Sequence, residues 1–324
     1  MKEIDGRLST TFCSNKLCKE VGADAREPYH AFLGKIIAKL DLTIEWAEQE
    51  LDGVQRGHHA VGKKNIQLDE IYLSKKELLD EMKLIHRSLS VTGNALTGGG
   101  YVLDLIRNIC AFGLTLVPLD VRQESTRHTE ALDAITRHLG IGSYSEWDET
   151  TKISWLQSEL SSKRPLIRAE EWNGNPMFSD TVVDTLETFQ MIAEQHDDSL
   201  NAYVISQATS ASDVLAVLLL QTDAGVKSPL RVVPLFETLD DLNGAAETMD
   251  TLFSLPTYKG VIDGKQEVMI GYSDSAKDAG RLAASWAQYE TQEKLVCLNI
   301  GIALFFHSLA YFLIELNLLL FLSL

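Results

Sequence analysis

The sequence predicts a mainly α-helical chain with an α/β part, an incomplete (β/α)8-type barrel carrying additional helices. Three observations lead there. Short apolar runs alternate with helical segments after Tyr101, as a parallel sheet or barrel requires. Polar and charged residues gather just past the C-terminal ends of those runs, where a (β/α) barrel builds its active site. The stretch before them is amphipathic at helical spacing.

The helices come first. Residues 27–90 read as helical, with Phe32, Ile36, Leu40 and Ile44 recurring at helical spacing and charges between them. Residues 53–65 read as a loop broken by Gly53, Gly57 and Gly62. A second amphipathic helix follows, with Ser74 as its N-cap and Glu77 three residues on, a capping-box pattern. Gly98, Gly99 and Gly100 read as a flexible connection between helices. No strand precedes them and no lysine follows, as a phosphate loop would need. Residues 1–100 are therefore expected to be a helical region and 101–297 a partial barrel.

The strands are expected at 114–121, 202–208, 230–236 and 267–273, each nearly continuous in Val, Leu and Ile and so buried. Helices are expected at 126–139, 179–195, 212–224 and 239–253. The first strand runs into Arg122, the second into Ser206 and Gln207, the third into Glu237, and the fourth into Asp274 and then Lys277. Two carboxylates on adjacent strands, Glu237 and Asp274, suit a hard divalent cation such as Mg2+ or Mn2+. Arg122 has the planar fork that clamps a carboxylate or phosphate. Lys277 would set a positive charge beside a developing anion. A plainer account of the same residues stays open: Glu237 and Asp274 both precede helical segments and would serve as N-caps, and Arg122 would pair with Glu124. His128 and His138 lie on a helix and read as packing or surface histidines. Ser273 and Ser275 lack the flanking glycines of a nucleophile elbow.

Composition narrows the classes. The 324 residues carry a formal net charge of −17, which disfavours nucleic acid and anionic membrane as partners. A locally positive pocket for an anionic substrate is compatible with that charge. Four cysteines, Cys13, Cys18, Cys110 and Cys297, are too few and scattered for a disulfide framework, and a reducing cytoplasmic setting is expected. Residues 1–16 are polar, without the apolar segment of a secretory signal. Residues 298–324 differ: they are apolar and long enough to span a bilayer, yet they contain His307, Glu315 and Asn317, each costly at membrane depth.

Three segments carry a resemblance. LDVRQESTRHTEAL (119–132), VPLFETLDDL (233–242) and MIGYSDSAKDAGRLAASWAQYE (269–290) are similar to signature segments of the phosphoenolpyruvate carboxylase family. EPYHAFL, LGIGSYSEW, ELSSKRPL and AYVISQATSASDVLAV support them in the family's order, over residues 27–297. The resemblance implies a mostly helical fold around a (β/α) barrel and carboxylation of phosphoenolpyruvate by bicarbonate, giving oxaloacetate and phosphate. It implies Glu237 and Asp274 as ligands of Mg2+ or Mn2+, Lys277 as the lysine that holds bicarbonate or carboxyphosphate, and Arg122 on the substrate phosphate. A cytoplasmic homotetramer is the family's usual state. The family's upstream histidine, its glycine- and arginine-rich loop after the position of Cys297 and its later barrel strands find no match, so little turnover is expected of the chain alone. Residues 298–324 are expected to lie outside the family sequence. The alternative is a non-catalytic subunit or scaffold tethered to a membrane by that tail.

Overall fold

The computed structural model describes residues 4, 8, 12–22, 25–55, 66–162, 164–195, 199–298 and 303–308. They fall into two compact units, one made from residues before 119 together with Ser199, the other from 119–195 and from 200 onward.

The first unit is helical: α1 (Asn15–Val21), α2 (Pro28–Gln55), α3 (Lys75–Val91) and α4 (Leu103–Phe112). Pro28 opens α2, where its fixed φ suits a first turn and its missing N–H costs nothing. Tyr29, Leu33, Ile36, Met82, Ile85 and Leu89 form the centre of this unit's core. Of the spacing read from the sequence, Phe32 and Ile36 are buried in it and Leu40 packs against it, but Ile44 is exposed. Ser74 does stand at the N-cap of α3, but its side chain accepts no cap hydrogen bond, so the expected capping box does not form. Gly53 belongs to α2, and residues 56–65 of the expected loop lie outside the described residues. The three glycines are not a loop. Gly98–Val102 is a wide helical turn leading into α4, with one non-helical residue, Gly100 at φ −90° and ψ −124°. Cys13 and Cys18, five residues apart, are joined by a disulfide. The four scattered cysteines predict no disulfide framework; this one close pair is bridged, while Cys110 and Cys297 are free.

The second unit alternates strand and helix: β1 (Leu119–Glu124), α5 (Ser125–His138), α6 (Glu149–Leu160), α7 (Asp180–Glu194), β2 (Leu200–Ser206), α8 (Ala211–Asp223), β3 (Arg231–Phe236), α9 (Leu239–Ser254), α10 (Pro256–Ile262), β4 (Lys265–Ile270), α11 (Ser273–Ala279), α12 (Arg281–Cys297) and β5 (Ala303–Ser308). The strands form one sheet in chain order, and every pairing is parallel. The chain is thus mainly helical with an α/β unit, as the alternation predicts. Residues 211–221 of α8 are all buried, which explains why its sequence is apolar on every side.

Two strands differ from expectation. The first begins at Leu119, not at Leu114. Leu116 takes a positive φ of 67° and Pro118 has no N–H to donate, so pairing starts at Leu119 opposite Leu200. This strand is largely exposed rather than buried, because among the described residues it pairs on one side only. The fifth strand, Ala303–Ser308, lies in the stretch expected to be a separate apolar tail. It adds to β4 with Met269 opposite His307, satisfying backbone groups that β4 would otherwise leave open. No helix among the described residues is long and apolar enough to cross a membrane, and 309–324 lie outside the described residues.

His128 is a packing histidine. It is buried on α5, its Nε2 lies 2.8 Å from the Tyr203 hydroxyl, and its ring meets Phe189 and Tyr203. Burial pushes its pKa down to about 3. The folded protein therefore keeps His128 neutral while the unfolded chain takes up a proton near pH 6.5. Below that value stability falls by about 1.4 kcal/mol per pH unit until about pH 3. In urea unfolding followed from pH 7 to pH 4, His128→Gln is expected to flatten this slope, since glutamine can still bond Tyr203 and does not titrate. An unchanged slope would rule His128 out as its source.

Candidate functional site

Because every strand pair is parallel, the C-terminal ends of β1 to β4 share one edge of the sheet, the usual place for a ligand in such sheets. Arg122 stands within β1 and reaches along this edge. Its Nε donates to Ser206 Oγ at 2.7 Å and its terminal nitrogen to Glu237 Oε1 at 2.7 Å. The other Glu237 oxygen accepts from the Gln207 amide at 3.2 Å. Gln207 holds a left-handed backbone, φ 52°, and its carbonyl accepts from Ser125 Oγ at 2.8 Å. Three strand ends are thus tied together by one guanidinium and one carboxylate.

Glu237 follows β3 directly and its side chain is only 8% exposed, against 45% for Arg122. It is not a helix cap. Thr238 is the N-cap of α9, in a reciprocal box with Asp241, and Asp241 also accepts the Glu237 amide at 3.2 Å. Capping is done one residue later, which frees the Glu237 carboxylate to face Arg122. The close approach of β4 makes this possible. The Gly271 amide donates to the Phe236 carbonyl at 2.8 Å, and a Cβ at Gly271 would lie 2.9 Å from Glu237 Cα. Only glycine fits there.

Asp274 is not a cap either. It sits in the first turn of α11, whose N-cap is Tyr272. Its Oδ1 accepts from Lys277 Nζ at 3.1 Å, with both side chains more than half exposed. The pair is therefore loose, worth little in water and free to open. Burial raises the Glu237 pKa above the ordinary glutamate range. Arg122 and the Gln207 amide pull it back, while the negative charges of Asp274 and Asp241 push it further up. Asp274 thus lies within electrostatic reach of Glu237. The structure joins Arg122 to Glu237 and Lys277 to Asp274.

The donor set suits a hard cation as far as it goes. Carboxylate oxygens are the right type, and a cation would relieve the repulsion felt at Glu237. Among the described residues no group of three or more His, Cys, Asp or Glu is placed to hold a metal ion. Two protein carboxylates are still enough for an ion that keeps water and substrate oxygens as its other ligands.

Gly271, Ser125 and Gln288 at this edge escaped the sequence, where Ser275 is considered only as a nucleophile. Gly271 carries the close approach, Ser125 fixes the Gln207 carbonyl, and Ser275 Oγ donates to the Gly271 carbonyl at 2.8 Å. Gln288 then donates to Ser275 Oγ at 2.9 Å. A glycine directly after a buried strand is the one signal that pointed there.

The segments that build this edge decide the ancestry. The family model described as phosphoenolpyruvate carboxylase matches residues 8–308. The chain belongs to the phosphoenolpyruvate carboxylase family. It is 49% identical over 272 residues to phosphoenolpyruvate carboxylase 2 of Arabidopsis thaliana, covering 84% of this chain and 27% of that protein. It is 44% identical over 300 residues to the phosphoenolpyruvate carboxylase of Acinetobacter baylyi, covering 92% and 32%. The phosphoenolpyruvate carboxylase of a Marinomonas species is 46% identical over 308 residues, covering 94% and 33%. The chain thus spans about a third or less of the length of these relatives. The phosphoenolpyruvate carboxylase match runs through β5 and so includes the first residues of the segment 298–324.

Proposed function

We propose that this chain supplies part of the active site of a phosphoenolpyruvate carboxylase, which joins bicarbonate to phosphoenolpyruvate to give oxaloacetate and phosphate. The convergence of Arg122, Ser206, the Gln207 amide and Glu237 on one strand edge, with Asp274 electrostatically coupled to it, carries this reading. The five parallel strands are then part of a (β/α)8 barrel whose other strands lie elsewhere in the whole enzyme.

Each residue has a task in that chemistry. A bicarbonate oxygen attacks phosphorus and the bond from phosphorus to the enol oxygen breaks, leaving carboxyphosphate and an enolate. Carbon dioxide released from carboxyphosphate is then captured by the enolate carbon, and phosphate departs. Arg122 grips the phosphoryl oxygens with its planar fork. Ser206 holds the Nε end of that fork in line. Lys277, now resting on Asp274, swings to the carboxylate oxygens of bicarbonate. Glu237 and Asp274 would hold Mg2+ or Mn2+, which when bound would supply positive charge to the developing anion. The remaining groups would come from the rest of the longer enzyme, in the family's usual cytoplasmic homotetramer, and the chain alone is expected to turn over slowly.

The test is equilibrium binding of phosphoenolpyruvate in the presence of Mn2+. Saturable binding is expected, weakened about tenfold or more in Arg122→Gln, since a charge-assisted bond contributes about 1.5–3 kcal/mol. Equal affinity in that variant would remove Arg122 from the site.

A further inference from the structure

We infer that Asp278 is a positioning residue for the divalent ion, holding α11 so that Asp274 stays beside Glu237. The inference rests on the reading of those two carboxylates as the ion's ligands. α11 carries both Asp274 and Lys277, yet it is only seven residues long, too short to be stable by itself. No side chain caps its start. Gly280 follows it at φ 82° and turns the chain into α12. The place of α11 is therefore set by contacts with its neighbours.

Hydrogen bonds hold it at both ends. At its start, Ser275 is fully buried. Its hydroxyl donates to the Gly271 carbonyl at 2.8 Å and accepts from Gln288 of α12 at 2.9 Å. At its other end, the Asp278 carboxylate accepts from the Leu239 amide at 3.0 Å. Leu239 is the first residue of α9 and lies two residues beyond Glu237. Its amide is one that a helix cannot satisfy from within. The box of Thr238 and Asp241 bonds the amides of those two residues and leaves that of Leu239. The helix dipole also favours an anion at this position. Asp274 and Asp278 stand four apart and share one face of α11. The bond to Leu239 thus turns that face toward the end of β3, where the charge of Asp274 is felt at Glu237. Without it α11 is free to pivot about Ser275, and the two carboxylates part.

The test is Mn2+ binding by the full chain, read from the electron paramagnetic resonance signal of the free ion, in Asp278→Asn and Asp278→Ala. The first variant keeps an oxygen for the Leu239 amide and loses the charge; the second loses both. Asp278→Ala is expected to weaken binding about threefold or more, the loss of one hydrogen bond. Asp278→Asn is expected to stay within about twofold of the unchanged chain, since that bond survives. Because Asp278 acts through Asp274, adding Asp278→Ala to Asp274→Asn is expected to cost nothing further, whereas a general loss of stability would cost as much in either background. Equal weakening in Asp278→Asn and Asp278→Ala would make Asp278 a source of charge or a ligand and would overturn the proposal. So would an unchanged affinity in Asp278→Ala, or a full loss on top of Asp274→Asn. Absence of any saturable Mn2+ site in the unchanged chain would overturn the ion reading itself and this inference with it, a failure distinct from the others.

Discussion

Gly271→Ala is expected to destabilise the strand-edge unit by about 1–3 kcal/mol, the usual cost of forcing extra atoms into a packed interior. The new methyl group would stand 2.9 Å from Glu237 Cα, 3.1 Å from Glu237 Cγ and 3.2 Å from the Phe236 carbonyl oxygen. Two of these three atoms are backbone, so no side-chain rotation relieves the clash. The 2.8 Å hydrogen bond from the Gly271 amide to Phe236 holds β4 against β3 and blocks the obvious escape. Relaxation must then move Glu237, the carboxylate that Arg122 grips. Gly244 provides the contrast. It lies in α9, and a Cβ there would meet nothing within 4 Å, so Gly244→Ala is expected to stabilise by about 0.5–1 kcal/mol through helix propensity. Urea unfolding of the two variants at constant slope checks both signs. A Gly271→Ala midpoint equal to that of the unchanged chain would mean that β4 does not press on Glu237.

The sequence revealed much of this architecture for identifiable reasons. β2 and β3 are mostly apolar runs buried along their length, and β4 ends in the apolar Val268, Met269 and Ile270, a pattern legible without a structure. β1 was harder, because its charged sequence LDVRQE belongs to an exposed strand while the more apolar run before it looks more strand-like. The left-handed Leu116 that ends that run has no signature in composition. β5 was hidden by its surroundings. A long apolar stretch reads as one object, and only the edge of β4 selects residues 303–308 from it.

The candidate site divides in the same way. Arg122, Glu237, Asp274 and Lys277 stood out because charged residues just beyond strand ends converge in a parallel sheet. Whether the two carboxylates capped helices could not be read from spacing. Thr238 and Tyr272 take the cap positions, which depends on where each helix starts by a single residue. The role of Gly271 depends on how closely two strands pass, a tertiary fact with no local pattern.

Divalent-ion affinity should depend on Glu237 and Asp274 together. Each variant, Glu237→Gln and Asp274→Asn, removes a formal charge and one of the two carboxylates proposed to hold the ion. Loss of either is expected to weaken Mn2+ binding about tenfold or more, which corresponds to about 1.4 kcal/mol. The pH dependence has a definite sign. The raised pKa of Glu237 means that it takes up its proton at a higher pH than an ordinary glutamate does. Mn2+ requires the ionised form, so affinity should fall as pH drops through that raised value. Asp274→Asn removes one of the charges that raise it, so the fall should then move to lower pH.

At the bottom lies a single physical proposition, that one cation can be shared by the acidic groups ending β3 and opening α11. Counting free Mn2+ by electron paramagnetic resonance during a titration of the full chain addresses it without any need for turnover. One saturable site, weakened about tenfold or more in each single variant, is the expected result. An unchanged affinity in Glu237→Gln and in Asp274→Asn would contradict it.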